Sequence, residues 1–425
     1  MPVGWRLALD PRTRWLHRGR VLLTPTGRLL RLGPRGPHAV EDLLLGRDPG
    51  RAGRVLGRTL LDAGAAHPIP NPHDASDVTV VVPVRDRSVE LDRCLASVAG
   101  DVLVVDDGSQ DPRAVEAVCR RHGARYVHRP GGGPAAARNT ALPLLTAPFV
   151  AFLDSDCVAP PGWLEGLRGH LEDPAVGAAA PRVVGGARSP LDLGPRPALV
   201  RPGAEVAYVP TAALLVRRTA LTRFDEALRY GEDVDLVWRT VDAGWQVRYD
   251  PSVVVEHTEP SSLAARLVRR YRYGTAAAPL SQRHPERLAH LVLSPLPTAM
   301  VFALLTRRPG VAAAVGAWTT HRLRGHLGDG PTAARVVAAS VGGTAIGLGR
   351  ALALLGPFGW VAARDRRVAA LLVAPPLLEW LQRRPEVGPV RYVGSTLLGQ
   401  AAYGTGVLAG CVRARTSVPL RPRRG

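Results

Sequence analysis

The residues in this chain best suited to chemistry are carboxylates that follow apolar runs. Residues 153–157 read LDSDC directly after Pro-Phe-Val-Ala-Phe, so Asp154 and Asp156 stand two positions apart at the end of an expected strand. Hard oxygen ligands at that spacing suit Mg2+ or Mn2+ bridging a diphosphate, and a solvated strand end is the plain alternative. About one D-x-D is expected by chance in a chain this long, and Asp233-Val234-Asp235 is a second. VVDDGSQD sets Asp106 and Asp107 after another such run, where a carboxylate accepts a base imide or ribose hydroxyls, or simply makes an Asx turn. GEDVDLVWRTVDAGW places Glu232 and Asp233 at a helix start, where the dipole favours an ionised base, with capping the commoner role. Trp245, after the helix-ending Gly244, would roof a sugar.

Two further stretches complete the candidates. RPGGGPAAARNTAL runs a glycine loop into a helix carrying Arg138 and Asn139. Backbone there can approach an anion or a sugar, although a flexible loop fits equally. The stretch matches neither the P-loop nor the dinucleotide fingerprint. VVVEHTEP puts His257 after a strand, and this imidazole completes a Mn2+ site only if that strand lies beside Asp156.

These motifs need rigid elements to carry them. Apolar, β-rich runs at 78–82, 102–105 and 149–153 alternate with helical segments at 89–98 and 114–121. That alternation predicts βαβ units and a mostly parallel sheet, with ligands beyond the carboxyl ends of the strands. Residues 1–70 predict a hairpin around Thr24-Pro25-Thr26-Gly27 followed by two small helices, a unit similar to winged-helix-like peptide-recognition domains or a mere packing subdomain. Residues 71–77 close a proline-rich linker. The catalytic region is expected at 78–284. Residues 285–425 form an Ala-rich helical region whose uncharged stretches 288–306 and 392–412 are long enough for a membrane, while the runs 336–349, 351–363 and 368–378 are shorter. Arginine clusters beside these segments fit cytoplasmic flanks.

Composition bounds the rest. A hydrophobic fraction of 46% excludes general disorder. The formal charge of +19 raises nucleic acid or an anionic membrane as partner. All basic residues are arginine and are read as spread along the chain, so a coding bias explains much of that charge, and nucleic acid is not expected as a partner. Cys94, Cys119, Cys157 and Cys411 show no metal-ligand spacing and suit a reduced, intracellular chain. The first residues lack the apolar core of a secretory signal, so catalysis is expected on the cytoplasmic side.

The order P-V-R-D, V-D-D-G-S, A-R-N, L-D-S-D, then F-D-E with G-E-D-V-D-L resembles the family 2 glycosyltransferases over about residues 76–260. The resemblance implies an α/β GT-A fold, a divalent metal (Mn2+ or Mg2+), inversion at the anomeric centre and a UDP-sugar donor. It implies nucleoside contacts from Asp106 and Asp107, ribose and metal contact from Asp154, metal ligation by Asp156 and His257, and Asp233 as general base. Arg85-Asp86 stands where tyrosine and asparagine are usual, and no Q-x-x-R-W follows His257, which argues against a processive polysaccharide synthase. The N-terminal unit, RYGTAAA and the Ala-rich tail resemble the glycosyltransferases of the mycofactocin system. That implies glucose transfer to a peptide-derived acceptor. A membrane enzyme acting on a lipid carrier or polysaccharide is the nearer rival, and a noncatalytic peptide- or nucleic-acid-binding protein the remoter one.

Overall fold

The computed structural model describes residues 2–424 apart from 3, 187–188, 261, 289–290, 356–358, 360–363 and 384–386. The chain divides into two compact units, Met1–Glu259 and Pro260–Gly425.

The first unit opens with β1 (Arg6–Leu9), β2 (Arg14–Leu16), β3 (Val21–Leu23), β4 (Leu29–Arg31), α1 (Gly36–Leu45), α2 (Gly50–Asp62) and β5 (Ala66–Ile69). Strand β1 pairs antiparallel with β5, and β2-β3-β4 form an antiparallel meander. Leu7, Leu22, Leu43, Leu60 and Leu61 are buried together beneath the two helices. This small core is fastened to the rest of the unit by polar contacts: Arg58 pairs with Asp173, Arg12 with Glu205, and Gln246 donates to Asp62 at 2.6 Å.

The larger part of the unit continues with β6 (Val78–Val84), α3 (Ser88–Ala96), β7 (Asp101–Asp107), α4 (Pro112–Arg121), β8 (Arg125–Arg129), α5 (Pro134–Ala141), β9 (Phe149–Leu153), β10 (Cys157–Val158), α6 (Trp163–His170), β11 (Val176–Val184), β12 (Ala198–Leu199), β13 (Ala213–Arg217), α7 (Glu232–Asp242) and β14 (Gln246–His257). Its nine strands run in the order β10-β14-β11-β13-β9-β6-β7-β8, with β12 on β14. Strands β6, β7, β8, β9, β11 and β14 are parallel, and β10, β12 and β13 run against them. Every residue of β6, VTVVVPV, is buried, because helices cover a parallel sheet on both faces and leave no polar side to alternate with. The carboxyl ends of the six parallel strands therefore share one edge, where the acidic motifs emerge.

The second unit is helical: Leu263–Thr275, Ala277–Arg283, Pro295–Leu305, Pro309–Leu327, Gly330–Leu354, Arg366–Arg383 and Pro389–Arg413. The first of these approaches the last through glycines, since a Cβ on Gly406 would lie 2.0 Å from the Tyr271 carbonyl oxygen. Among the described residues one helix, Gly330–Leu354, is long and apolar enough to cross a membrane by length and composition. The expected 288–306 segment instead holds the 11-residue helix Pro295–Leu305, too short at ~1.5 Å per residue to span a bilayer core. The runs at 336–349 and 351–363 differ too: the first continues through Arg350 to Leu354, and part of the second lies outside the described residues.

Arginine is spread about evenly along the chain, as expected, but carboxylates are not. Unit one holds 32 arginines against 31 carboxylates, and unit two holds 23 against 5. Nearly all of the net charge therefore belongs to unit two, because carboxylates are scarce there and not because arginine is enriched.

Candidate active site

Strand ends bring most of the sequence candidates to the carboxyl edge of the sheet. After β9 the chain turns tightly, with Cys157 N–H donating to the Asp154 carbonyl at 2.9 Å. Asp154 and Asp156 thus belong to a turn between β9 and β10, not to the alternation of a strand as the D-x-D spacing suggested. Strand β10 pairs antiparallel with the end of β14, Cys157 opposite His257, which sets Asp156 beside the imidazole. His257 Nε2 lies 3.6 Å from Asp156 Oδ1, and its Nδ1 lies 3.3 Å from Glu259 Oε1. Arg87, just beyond β6, forms an ion pair with the other Asp156 oxygen.

Arg138 is the hub. Its helix, α5, is a short Ala-rich segment whose small side chains let it sink against β6 and β7. The side chain is buried, donates to Asp154 Oδ1 at 2.7 Å and to Glu232 Oε1 at 3.1 Å, and lies 5.5 Å from the Phe224 ring centroid. One cation thereby joins the LDSDC turn to the first residue of α7. Such a buried charge is stable only when paired, and here it is paired twice.

Asp233 follows Glu232 on the first turn of α7, after Gly231 at φ 82°. Burial, and then the neighbouring Glu232, push its carboxyl up from 3.8 to about 7. The expectation that the helix dipole keeps this group fully ionised is therefore corrected: desolvation and a like charge outweigh a dipole effect of about 1 kcal/mol. A carboxyl titrating near neutrality is well matched to general-base work. Burial lifts Glu232 as well, against the pull of Arg138.

The remaining candidates divide by direction. Asp106 is fully buried and accepts from Ser109 N–H at 2.9 Å, Ser109 Oγ at 2.6 Å, Tyr126 Oη at 2.9 Å and His128 Nδ1 at 3.2 Å. Burial would raise it, yet these bonds hold it below the ordinary carboxylate value. Asp107 accepts from Gly133 N–H at 2.6 Å and pairs with Arg129, tying the glycine loop to β7. Gly108, at φ 77°, has to be glycine because a Cβ there would lie 2.7 Å from the Gly131 nitrogen. Asn139 donates to the Phe224 carbonyl at 2.9 Å and to Glu226 at 2.8 Å, and accepts from Phe224 N–H at 2.8 Å. Asn139 thus pins the segment before α7. Trp245 does not join the site. It precedes β14, whose first residue pairs with the first residue of β11, so it lies at the opposite, amino edge, where its Cβ sits near Gly177. A sugar-roofing role for Trp245 is withdrawn, because an 11-residue helix carries the chain ~16 Å away from Asp233.

Sequence inspection missed Arg87, Arg129 and Glu259, since a charged residue near a motif gives no sign of which carboxylate it will meet. Among the described residues no three His, Cys, Asp or Glu side chains converge closely enough to hold a metal ion unaided. Asp154, Asp156 and His257 nevertheless offer two carboxylates and an imidazole on one edge, donors suited to Mn2+ or Mg2+ with oxygens of a diphosphate completing the shell. Burial lifts the Cys94 thiol to about 12 and Cys157 well above the usual value, so neither is a nucleophile or a soft ligand.

Residues 79–203 match the model of glycosyl transferase family 2. The pre-mycofactocin glycosyltransferase of Mycobacterium tuberculosis (strain ATCC 25618 / H37Rv) is 38% identical over 469 aligned positions, covering 100% of this chain and 98% of that protein. The chain belongs to glycosyltransferase family 2. Succinoglycan biosynthesis protein ExoU of Rhizobium meliloti is 28% identical over 200 positions, 40% of this family 2 chain and 58% of its own. Two solved structures are similar at low scores. The mannosyltransferase PcManGT from Pyrobaculum calidifontis, in complex with GDP-Man and Mn2+, has TM-score 0.41 and 22% identity over 72% of this chain and 88% of its own. The Mycobacterium tuberculosis glucosyl-3-phosphoglycerate synthase, with Mn2+, UDP and glucosyl-3-phosphoglycerate, has TM-score 0.39 and 20% identity over 48% and 79%.

Proposed function

We propose that this family 2 glycosyltransferase inverts the anomeric centre while moving a hexose, glucose from UDP-glucose, onto a hydroxyl of a peptide-derived redox-cofactor precursor in mycofactocin biosynthesis. Similarity to the pre-mycofactocin glycosyltransferase along the whole chain carries the acceptor assignment. The network Asp154–Arg138–Glu232 beside a near-neutral Asp233 supports the mechanism. Asp233 takes the proton of the acceptor hydroxyl as that oxygen attacks the anomeric carbon, and the bond to the nucleoside diphosphate breaks. Asp154, Asp156 and His257 would hold a divalent ion, which when bound offsets charge on the diphosphate. Arg138 holds Asp154 and Glu232 in register with each other. Asp106 and Asp107 shape the strand end that meets the nucleoside.

Membrane attachment at the cytoplasmic face is favoured by the charge excess of unit two and by Gly330–Leu354. Of the 26 exposed large apolar side chains among the described residues, 17 fall in unit two, including Phe302, Trp318, Val390 and Val412. Arginines interleaved with exposed apolar groups suit an anionic bilayer better than a nucleic acid, which gains little from aliphatic side chains. Mass spectrometry after incubation with UDP-glucose and Mn2+ tests the reading. A hexose gained by the peptide-derived acceptor and not by a lipid carrier supports it, and the reverse result replaces it with the lipid-carrier enzyme.

A further inference from the structure

A second charged cluster lies away from the catalytic edge. Arg248, the third residue of β14, is 1% exposed. Its Nη2 donates to Gln246 Oε1 at 2.6 Å, while Nε and Nη1 are buried with no protein acceptor. Arg58 and Asp62 from α2 and Arg201 after β12 surround it, with Asp173 before β11. Arg58 is engaged by Asp173 and keeps a buried Nε that stands 3.4 Å from Asp62 without donating to it. Arg201 donates to the Asp62 carbonyl. Three guanidinium groups thus face two carboxylates, and three N–H bearing nitrogens lack acceptors.

Burial, then repulsion from Arg58, lowers Arg248 to about 10, the sign of a cation short of compensation. Buried charges are ordinarily matched, and a guanidinium is a strong donor to oxyanions. We propose that this junction binds one small inorganic oxyanion of phosphate size, seated on Nε and Nη1 of Arg248 with Arg58 and Arg201 beside it. The anion balances the excess positive charge and locks α2 onto the catalytic sheet. It is separate from the donor site, because the nine residue steps along β14 from Arg248 to His257 span roughly 30 Å at ~3.3 Å per residue.

The test is thermal unfolding of the full chain, without nucleotide or metal, at constant ionic strength, titrated in separate arms with sodium phosphate and sodium chloride. A saturable rise in unfolding temperature with phosphate and none with chloride is expected, since a ligand of the folded state alone stabilises it by mass action. Arg248→Met should abolish the response, and Arg58→Gln, altering a partly exposed side chain, should raise the half-saturating phosphate concentration at least tenfold. A flat phosphate response, an equal response to chloride, or unchanged behaviour in Arg58→Gln overturns the site; if Arg248→Met does not fold, Arg58→Gln decides alone.

Discussion

The two units handle charge in opposite ways. In unit one, 32 arginines meet 31 carboxylates, and most candidate residues are held in specific pairs such as Arg138 with Asp154 and Glu232. In unit two, 23 arginines meet 5 carboxylates on helices that also expose apolar side chains. Paired charge in a partly dry site fixes geometry and sets proton affinities. Unpaired charge on an apolar surface instead attracts an anionic surface at long range. This contrast is what the proposed division of partners rests on, a small dianionic donor for unit one and an anionic bilayer for unit two.

That division can be broken experimentally. The largest effect is expected from Asp233→Asn, which should lower kcat for transfer by roughly a thousandfold while leaving UDP-sugar binding, measured by calorimetry, within a factor of two or three. Unchanged kcat would move the base elsewhere. Next, kcat/KM should fall about tenfold per pH unit below about pH 7, because protonated Asp233 cannot accept the hydroxyl proton. A pH profile flat between 5 and 8 would refute this.

Replacing Arg307 and Arg308 in unit two with Gln should weaken co-sedimentation with phosphatidylserine vesicles about thirtyfold, at ~1 kcal/mol per arginine, while kcat on a soluble acceptor stays as it was. Loss of soluble activity in that variant would collapse the proposed separation of roles. The smallest effect is on stability. Asp233 is raised above its unfolded value, so its ionisation costs the folded state nothing below about pH 4 and most above about pH 7. Asp233→Asn should therefore stabilise the chain at pH 8 by roughly 1–3 kcal/mol and leave it unchanged at pH 4, as read by chemical denaturation.

Much of this was legible beforehand, because the parallel sheet writes itself into the chain as runs such as VTVVVPV that alternate with amphipathic helices. The order of strand-end motifs was legible too, since each motif is a local stretch. Pairing across the site was not. Nothing local in PAAARNTA shows that Arg138 will meet residues 16 and 94 positions away, and nothing in AGW shows that Trp245 will leave on the far edge. The asymmetry of charge was present in the sequence, yet it became visible only once the boundary between the units fell at residue 259.

By itself, the sequence determined the family, the α/β character and the set of carboxylates at strand ends, because hydrophobic periodicity and turn residues act over a few positions. Tertiary structure decided which carboxylates are spent on holding the fold, as Asp106 is, and which are left at the edge, as Asp154 and Asp156 are. It also decided that Asp233 titrates near 7. Burial and neighbouring charge set that value, and both exist only after distant segments have packed together.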